Sequence, residues 1–384
     1  MIRFQGSEVE GVKGKSRGAR RVGVRLLSTA QPVLLSTLLL AGCLPSSGRQ
    51  NDRSMVPSDS ASIALAETVP VDTLQLGWEA AARPDDPMPL PTSIAWAGEG
   101  DRARIVVVET KEASIRLFTP SGRQARHIAT GGGAESYPYL AGATADTAVV
   151  LERGLNRLAF VPLDSSGAVR HVPVPDSAST ALVTEAGAFV RTGGGPEGRP
   201  GVLTRLDLGG RVLGRHTMRG QPWRASGFVK PWGDRVLALS GYRPVIDVWV
   251  PGAGPRLDTL ALQGFSSPEL GRSAQFMRGD AEQPPLLTSS AAALGERLFV
   301  VNMRGDHVRI DVYSAAGRLE RVLLSPQPWA PLPYIPIDVA VRQTDVGVEF
   351  AVLLQRPSGF LQSADSRLVL YRWSGGAGTQ AAAL

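Results

Sequence analysis

From Val71 to Gly376 the chain alternates short runs of Val, Leu, Ile and aromatic residues with clusters of Gly, Pro, Ser and Asp. Runs of this kind, bounded by turn residues, predict strands rather than helices, and their even spacing predicts an all-β fold. One pattern recurs along the chain. Ile115-Arg-Leu-Phe118-Thr-Pro-Ser-Gly122 returns as Leu203-Thr-Arg-Leu206-Asp-Leu-Gly-Gly210, as Ile310-Asp-Val-Tyr313-Ser-Ala-Ala-Gly317 and as Leu368-Val-Leu-Tyr371-Arg-Trp-Ser-Gly375. Looser copies are Ile246-Asp-Val-Trp249, followed by Gly252 and Gly254, and Arg157-Leu-Ala-Phe160, which reaches Gly167 through a longer turn. Each copy reads as a strand, a tight turn whose glycine can take positive φ, and a second strand.

The bulky positions Phe118, Phe160, Leu206, Trp249, Tyr313 and Tyr371 lie 42, 46, 43, 64 and 58 residues apart. Four-stranded propeller blades repeat every ~40 to 50 residues, so the spacing predicts a six-bladed β-propeller with insertions before the last two blades. Val71-Asp-Thr-Leu-Gln-Leu76 matches Leu257-Asp-Thr-Leu-Ala-Leu262, the expected outer strand of the fourth blade, yet it precedes the first blade. It is therefore expected to be the outer strand of the sixth blade, which removes an exposed edge by pairing the two ends of the ring. The repeat resembles the NHL-type six-bladed propeller, best over Pro91–Gly122 and next best over Leu286–Gly317, although most copies lack the Asp that usually follows the second strand.

A different pattern precedes the repeats. Lys13, Lys15, Arg17, Arg20, Arg21 and Arg25 lead into an apolar stretch that ends in Leu40-Ala41-Gly42-Cys43, the only cysteine of 384 residues. The apolar part suits a signal sequence and is too short to span a bilayer. Basic flank, apolar run and small residues before a thiol resemble the lipobox of bacterial lipoproteins. That resemblance implies removal of residues 1–42, lipid on Cys43, and residence in the cell envelope. Leu44 after the cysteine favours the outer membrane. Residues 43–70, rich in Ser, Pro, Asp and Gly, read as the lipidated Cys and a flexible tether, and residues 71–384 as the propeller domain.

Charge changes its meaning once the leader is set apart. The whole chain carries 41 Lys+Arg against 35 Asp+Glu, but 34 against 33 remain after Cys43, so the pI near 9.8 is no argument for nucleic-acid binding. An acylated Cys43 also leaves no thiol for a disulfide or a thiolate metal site.

Candidate chemistry lies at one end of the expected channel, where second-to-third loops and the loops leading into each blade meet. Reading the blades in order gives Lys111, Arg153, Arg191, Arg243, Arg304 and Arg356 near the ends of the second strands, a potential basic collar for an anionic ligand. Tyr137, Trp223 and Trp329 sit among prolines in the inter-blade loops, a composition suited to peptide or glycan contacts. The long loop Phe265–Leu287 is the expected lid or partner contact. The expected role is a membrane-anchored binding or scaffold module for an envelope protein, peptide or glycan, with no cofactor required. The alternative is a metal-dependent hydrolase or lactonase. Calcium lactonases on this fold use a Glu/Asn/Asp set in the channel, for which Glu109, Glu152, Asn302 and Asp338 are the candidates here. His127, His171, His216 and His307 show no HxH or HExxH spacing.

Overall fold

A computed structural model describes residues 60–81, 88–164, 167–193, 201–218, 227–250, 256–304, 306–326, 334–356 and 366–376. Cys43 and most of the expected tether lie outside the described residues. Six sheets follow one another around a ring. Blade 1 is β3 (Pro91–Ala97), β4 (Arg104–Glu109), β5 (Ser114–Phe118) and β6 (Gln124–Ala129); blade 2 is β7 (Pro138–Ala143), β8 (Thr147–Glu152), β9 (Arg157–Pro162) and β10 (Arg170–Pro173). Blade 3 comprises β11 (Ala178–Thr184), β12 (Gly187–Thr192), β13 (Gly201–Leu206) and β14 (Val212–Met218), and blade 4 β15 (Phe228–Trp232), β16 (Arg235–Leu239), β17 (Val245–Val250) and β18 (Arg256–Ala261). Blade 5 comprises β19 (Thr288–Leu294), β20 (Arg297–Asn302), β21 (Arg309–Tyr313) and β22 (Leu319–Leu324), and blade 6 β23 (Ile335–Thr344), β24 (Gly347–Gln355) and β25 (Ser366–Trp373). The expected six-bladed β-propeller is the fold.

The sequence explains why the ring, and not the single blade, is the stable unit. In β4, Ile105 and Val107 pack toward blade 6 while Val106 and Val108 pack toward blade 2, so the strand is buried on both faces and reads as one apolar run. The same division repeats at every blade junction. Phe299 and Phe350 meet between blades 5 and 6 with ring centroids 5.1 Å apart, and Phe189 meets Trp249 between blades 3 and 4 at 4.8 Å. Five of the six inner strands carry a register shift, among them Thr288/Ser290 and Pro336/Asp338; β15 alone runs without one. Such bulges re-aim side chains.

Closure follows the expected principle, with a corrected register. Val71–Leu76 is not one outer strand of blade 6. β1 (Val71–Thr73) instead adds in parallel to β22 of blade 5, and β2 (Gln75–Ala81) is the antiparallel outer strand of blade 6. Asp72 explains the split: it accepts from Arg321 of β22 at 2.8 and 2.9 Å and from Trp373 Nε1 of β25 at 2.8 Å, so the first three residues stay on blade 5. Trp78 of β2 then donates to Pro120 O of blade 1, covering the Gly122 turn, whose φ of +87° and contact with the indole leave no room for a side chain.

Two helices attach to this ring among the described residues. α1 (Ser60–Thr68) occupies the end of the stretch expected to be flexible. It is fixed where Gly264 N donates to Ser62 Oγ at 2.6 Å and where Leu65 joins the apolar cluster between blades 4 and 5. α2 (Leu270–Arg278) lies in the loop expected to be a lid. Its Phe276 is buried, and Asn302 and Arg304 both donate to Ser266 O at the start of that loop, so the segment is packed onto the fold.

Candidate functional site

Each second strand ends opposite the start of its inner strand: Glu109 opposite Pro91, Glu152 opposite Pro138, Asn302 opposite Thr288 and Gln355 opposite Ile335. These ends define one mouth of the channel. Of the six expected collar residues, four stand there with some exposure. Lys111 is exposed in the turn after β4. Arg153 is part-buried with its guanidinium 4.8 Å from the centroid of the Tyr139 ring, and desolvation pushes the Tyr139 hydroxyl above its ordinary pKa. Arg304 is part-buried and donates to Ser266 O at 2.9 Å; loss of solvent lowers its pKa from the usual guanidinium value. Arg356 is part-buried directly after β24.

The other two serve the scaffold. Arg191 has no exposed surface and donates to Phe228 O at 3.3 Å and Leu239 O at 3.1 Å, bridging blade 3 to blade 4. Arg243 is 1% exposed, with its guanidinium 3.7 Å from the Asp247 carboxylate. A buried guanidinium needs partners, and both of these are engaged by the protein itself. The expected ring of charge is therefore an arc over four consecutive blades, 5, 6, 1 and 2. Tyr137, part-buried with φ +46°, flanks that arc on blade 2. Trp223 and Trp329 lie outside the described residues.

Inside the channel is a cavity of about 270 Å³ lined by inner-strand residues, including Ala95, Ala141, Ala181 and Ala292. At its mouth end stands Asp338 of β23, fully buried. Lys230 Nζ of blade 4 donates to Asp338 Oδ1 at 2.6 Å, Ser290 Oγ of blade 5 does so at 2.5 Å, and Val339 N at 2.9 Å; Ile94 N of blade 1 donates to Oδ2 at 3.0 Å. One carboxylate thus joins four blades across the channel. Sequence reasoning placed Asp338 near the channel but missed Lys230. The available signal was slight: Lys230 and Lys111 are the only lysines after Cys43, and Lys230 interrupts an otherwise apolar inner strand.

The expected calcium set does not assemble. Glu109 accepts from Leu90 N at 2.7 Å and Lys111 N at 2.9 Å, and burial raises its pKa to about 7. Glu152 is buried, bound by Arg157 Nε at 2.5 Å and roofed so closely by Gly132 that no Cβ fits there. Asn302 Nδ2 is spent on Ser266 O and on Asp311 Oδ2. Glu152 Oε1 and Asn302 Oδ1 are buried without a hydrogen-bond partner, whereas Asp338 already holds four donors. Among the described residues no group of three or more His, Cys, Asp and Glu is placed to hold a metal. The four histidines are scattered: His127 and His171 approach Glu112 and Glu152 at 3.6 and 3.7 Å, His307 contacts Asp306, and His216 lies edge-on to Trp249.

The closed ring and its channel define the class of protein, a six-bladed β-propeller. No family profile and no curated protein match the chain in sequence. Solved structures with similar architecture include a streptogramin B lyase, with 12% identity and a TM-score of 0.47 over 77% of this chain and 87% of the other. A calcium-binding regucalcin from Agrobacterium tumefaciens has 10% identity and a TM-score of 0.46 over 79% and 96%. A gluconolactonase from Xanthomonas campestris has 11% identity and a TM-score of 0.45 over 79% and 99%. At these values the activities of those proteins stay with them.

Proposed function

We propose that the protein is an envelope lipoprotein, held by lipid on Cys43 with the outer membrane as its site, whose propeller is a binding module for an anionic ligand or acidic peptide. The observation that carries this reading is the arc of Lys111, Arg153, Arg304 and Arg356 over four neighbouring blades at one channel mouth. Cations of like sign grouped on one rim raise the local concentration of an anion and speed its arrival. Tyr137, part-buried beside the arc, adds flat surface for the body of such a ligand. A mature chain of nearly balanced charge gives no general attraction for polyanions, so binding depends on this rim.

The test is fluorescence anisotropy with a labelled hexaglutamate peptide at low and high salt. Rim binding predicts a Kd that rises steeply with salt and weakens about tenfold or more in Lys111→Gln/Arg153→Gln/Arg356→Gln. Binding that is indifferent to salt and to the triple substitution would remove the basis of the proposal. The anchor is tested separately by palmitate labelling, which should vanish in Cys43→Ala.

A further inference from the structure

Among the described residues eight large apolar side chains stand exposed. Three of them, Ile63 (58%), Val71 (60%) and Leu76 (53%), fall within a single stretch of 14 residues. They belong to α1, which packs at the junction of blades 4 and 5, and to β1 and β2, which continue as a strap along the outer edges of blades 5 and 6. β1 is the outermost strand of the blade 5 sheet and β2 that of the blade 6 sheet. Another exposed group, Leu208, Val212 and Leu213, lies on the outer hairpin of blade 3, across the ring from blade 6.

The strap is also where the chain from Cys43 arrives. Sixteen residues separate Cys43 from Ser60. The lipid-bearing residue is therefore joined to the fold through the strap.

We propose that the strap is a membrane seat, with Ile63, Val71 and Leu76 entering the interfacial layer of the bilayer that holds the Cys43 lipid. This rests on the reading of Cys43 as a lipid anchor. The seat is apolar rather than electrostatic. Glu67 is exposed, whereas Asp72 and Glu79 are paired with Arg321 and Arg367, so the strap has no cationic excess to attract anionic headgroups. Binding through it should persist in high salt and without anionic lipid, which separates it from rim binding.

Because Cys43 carries the only native thiol and its sulfur is acylated, the lipidated full-length protein bearing Ile63→Cys accepts one environment-sensitive nitrobenzoxadiazole label. On phosphatidylethanolamine/phosphatidylglycerol vesicles its emission should shift to the blue and at least double in intensity. The same label at Leu213→Cys should not change. Independently, Ile63→Ser/Val71→Ser/Leu76→Ser should leave the vesicles tenfold or more faster, since partial burial of three aliphatic side chains is lost. If the protein sediments with vesicles while the Ile63 label stays unshifted, the seat is refuted and the anchor stands. If nothing sediments and Cys43 remains free, both readings fall. A shift without vesicles that grows with protein concentration would assign the strap to a second copy of the chain and overturn the membrane assignment.

Discussion

Replacing Lys230 with Met tests whether the cross-channel tie at Asp338 holds the ring together. The substitution keeps the length and apolar stem of the side chain and removes only the ammonium that lies 2.6 Å from a fully buried carboxylate. Removing one partner of a buried pair costs about 3 to 5 kcal/mol, because the remaining charge is uncompensated. Here the lower end applies, since Ser290 Oγ, Ile94 N and Val339 N still donate to Asp338. For about 310 residues, an unfolding entropy of about 2 cal/mol/K per residue converts ~3 kcal/mol into a fall in Tm of about 5 °C. Urea and thermal unfolding of Lys230→Met, Asp338→Asn and the double variant provide the measurement. The double variant should lose at least ~1.5 kcal/mol less than the sum of the singles. Additivity within ~0.5 kcal/mol, or a loss below ~1 kcal/mol in Lys230→Met, would show that the pair is incidental and that the inter-blade apolar clusters alone close the ring.

Glu109 should make stability fall as pH rises. Its carboxyl, raised by burial from 4.5 to about 7, binds a proton more tightly folded than unfolded, so its contribution is fully present below about pH 4.5 and is lost by about pH 7. Subtracting the stability of Glu109→Gln from that of the parent across this range should reveal a decline on the order of 3 kcal/mol, and a flat difference would contradict the assignment. Asp72→Ala should cost about 2 kcal/mol and speed amide exchange at Val71–Leu74 while leaving exchange in blade 3 unchanged; equal acceleration everywhere would mean that Asp72 does not act locally.

The blade count was legible because each blade repeats the same physical demand. Middle strands buried on both faces need continuous apolar runs, and the third-to-outer turn needs a residue such as Gly122 at positive φ. The exact closure was not, since Val71-Asp-Thr-Leu and Leu257-Asp-Thr-Leu are nearly the same words while their partners are set by Arg321 and Trp373, hundreds of residues away from Asp72. α1 was missed because Ser and Ala near a Pro-rich stretch read as tether, whereas the contact of Ser62 with Gly264 decides the matter. Which collar positions face solvent was not legible. An Arg at the end of a second strand looks alike whether it turns to solvent, as Arg356 does in part, or inward to carbonyls, as Arg191 does. Lys230 and Asp338, 108 residues apart, meet only once the ring has closed.

The placement of β1 bears on how the molecule carries a load. A pull on the N-terminal chain reaches the ring first at α1, held by the Ser62–Gly264 hydrogen bond and by Leu65, then through three residues lying parallel to β22 and through β2 along β25. Tension along such strands loads their hydrogen bonds together, in shear, instead of peeling them one at a time. The closing seam of the ring is therefore also part of its mechanical mooring, and tension entering at α1 would draw on the junction of blades 4 and 5 and then on the seam between blades 5 and 6 before any other part of the propeller.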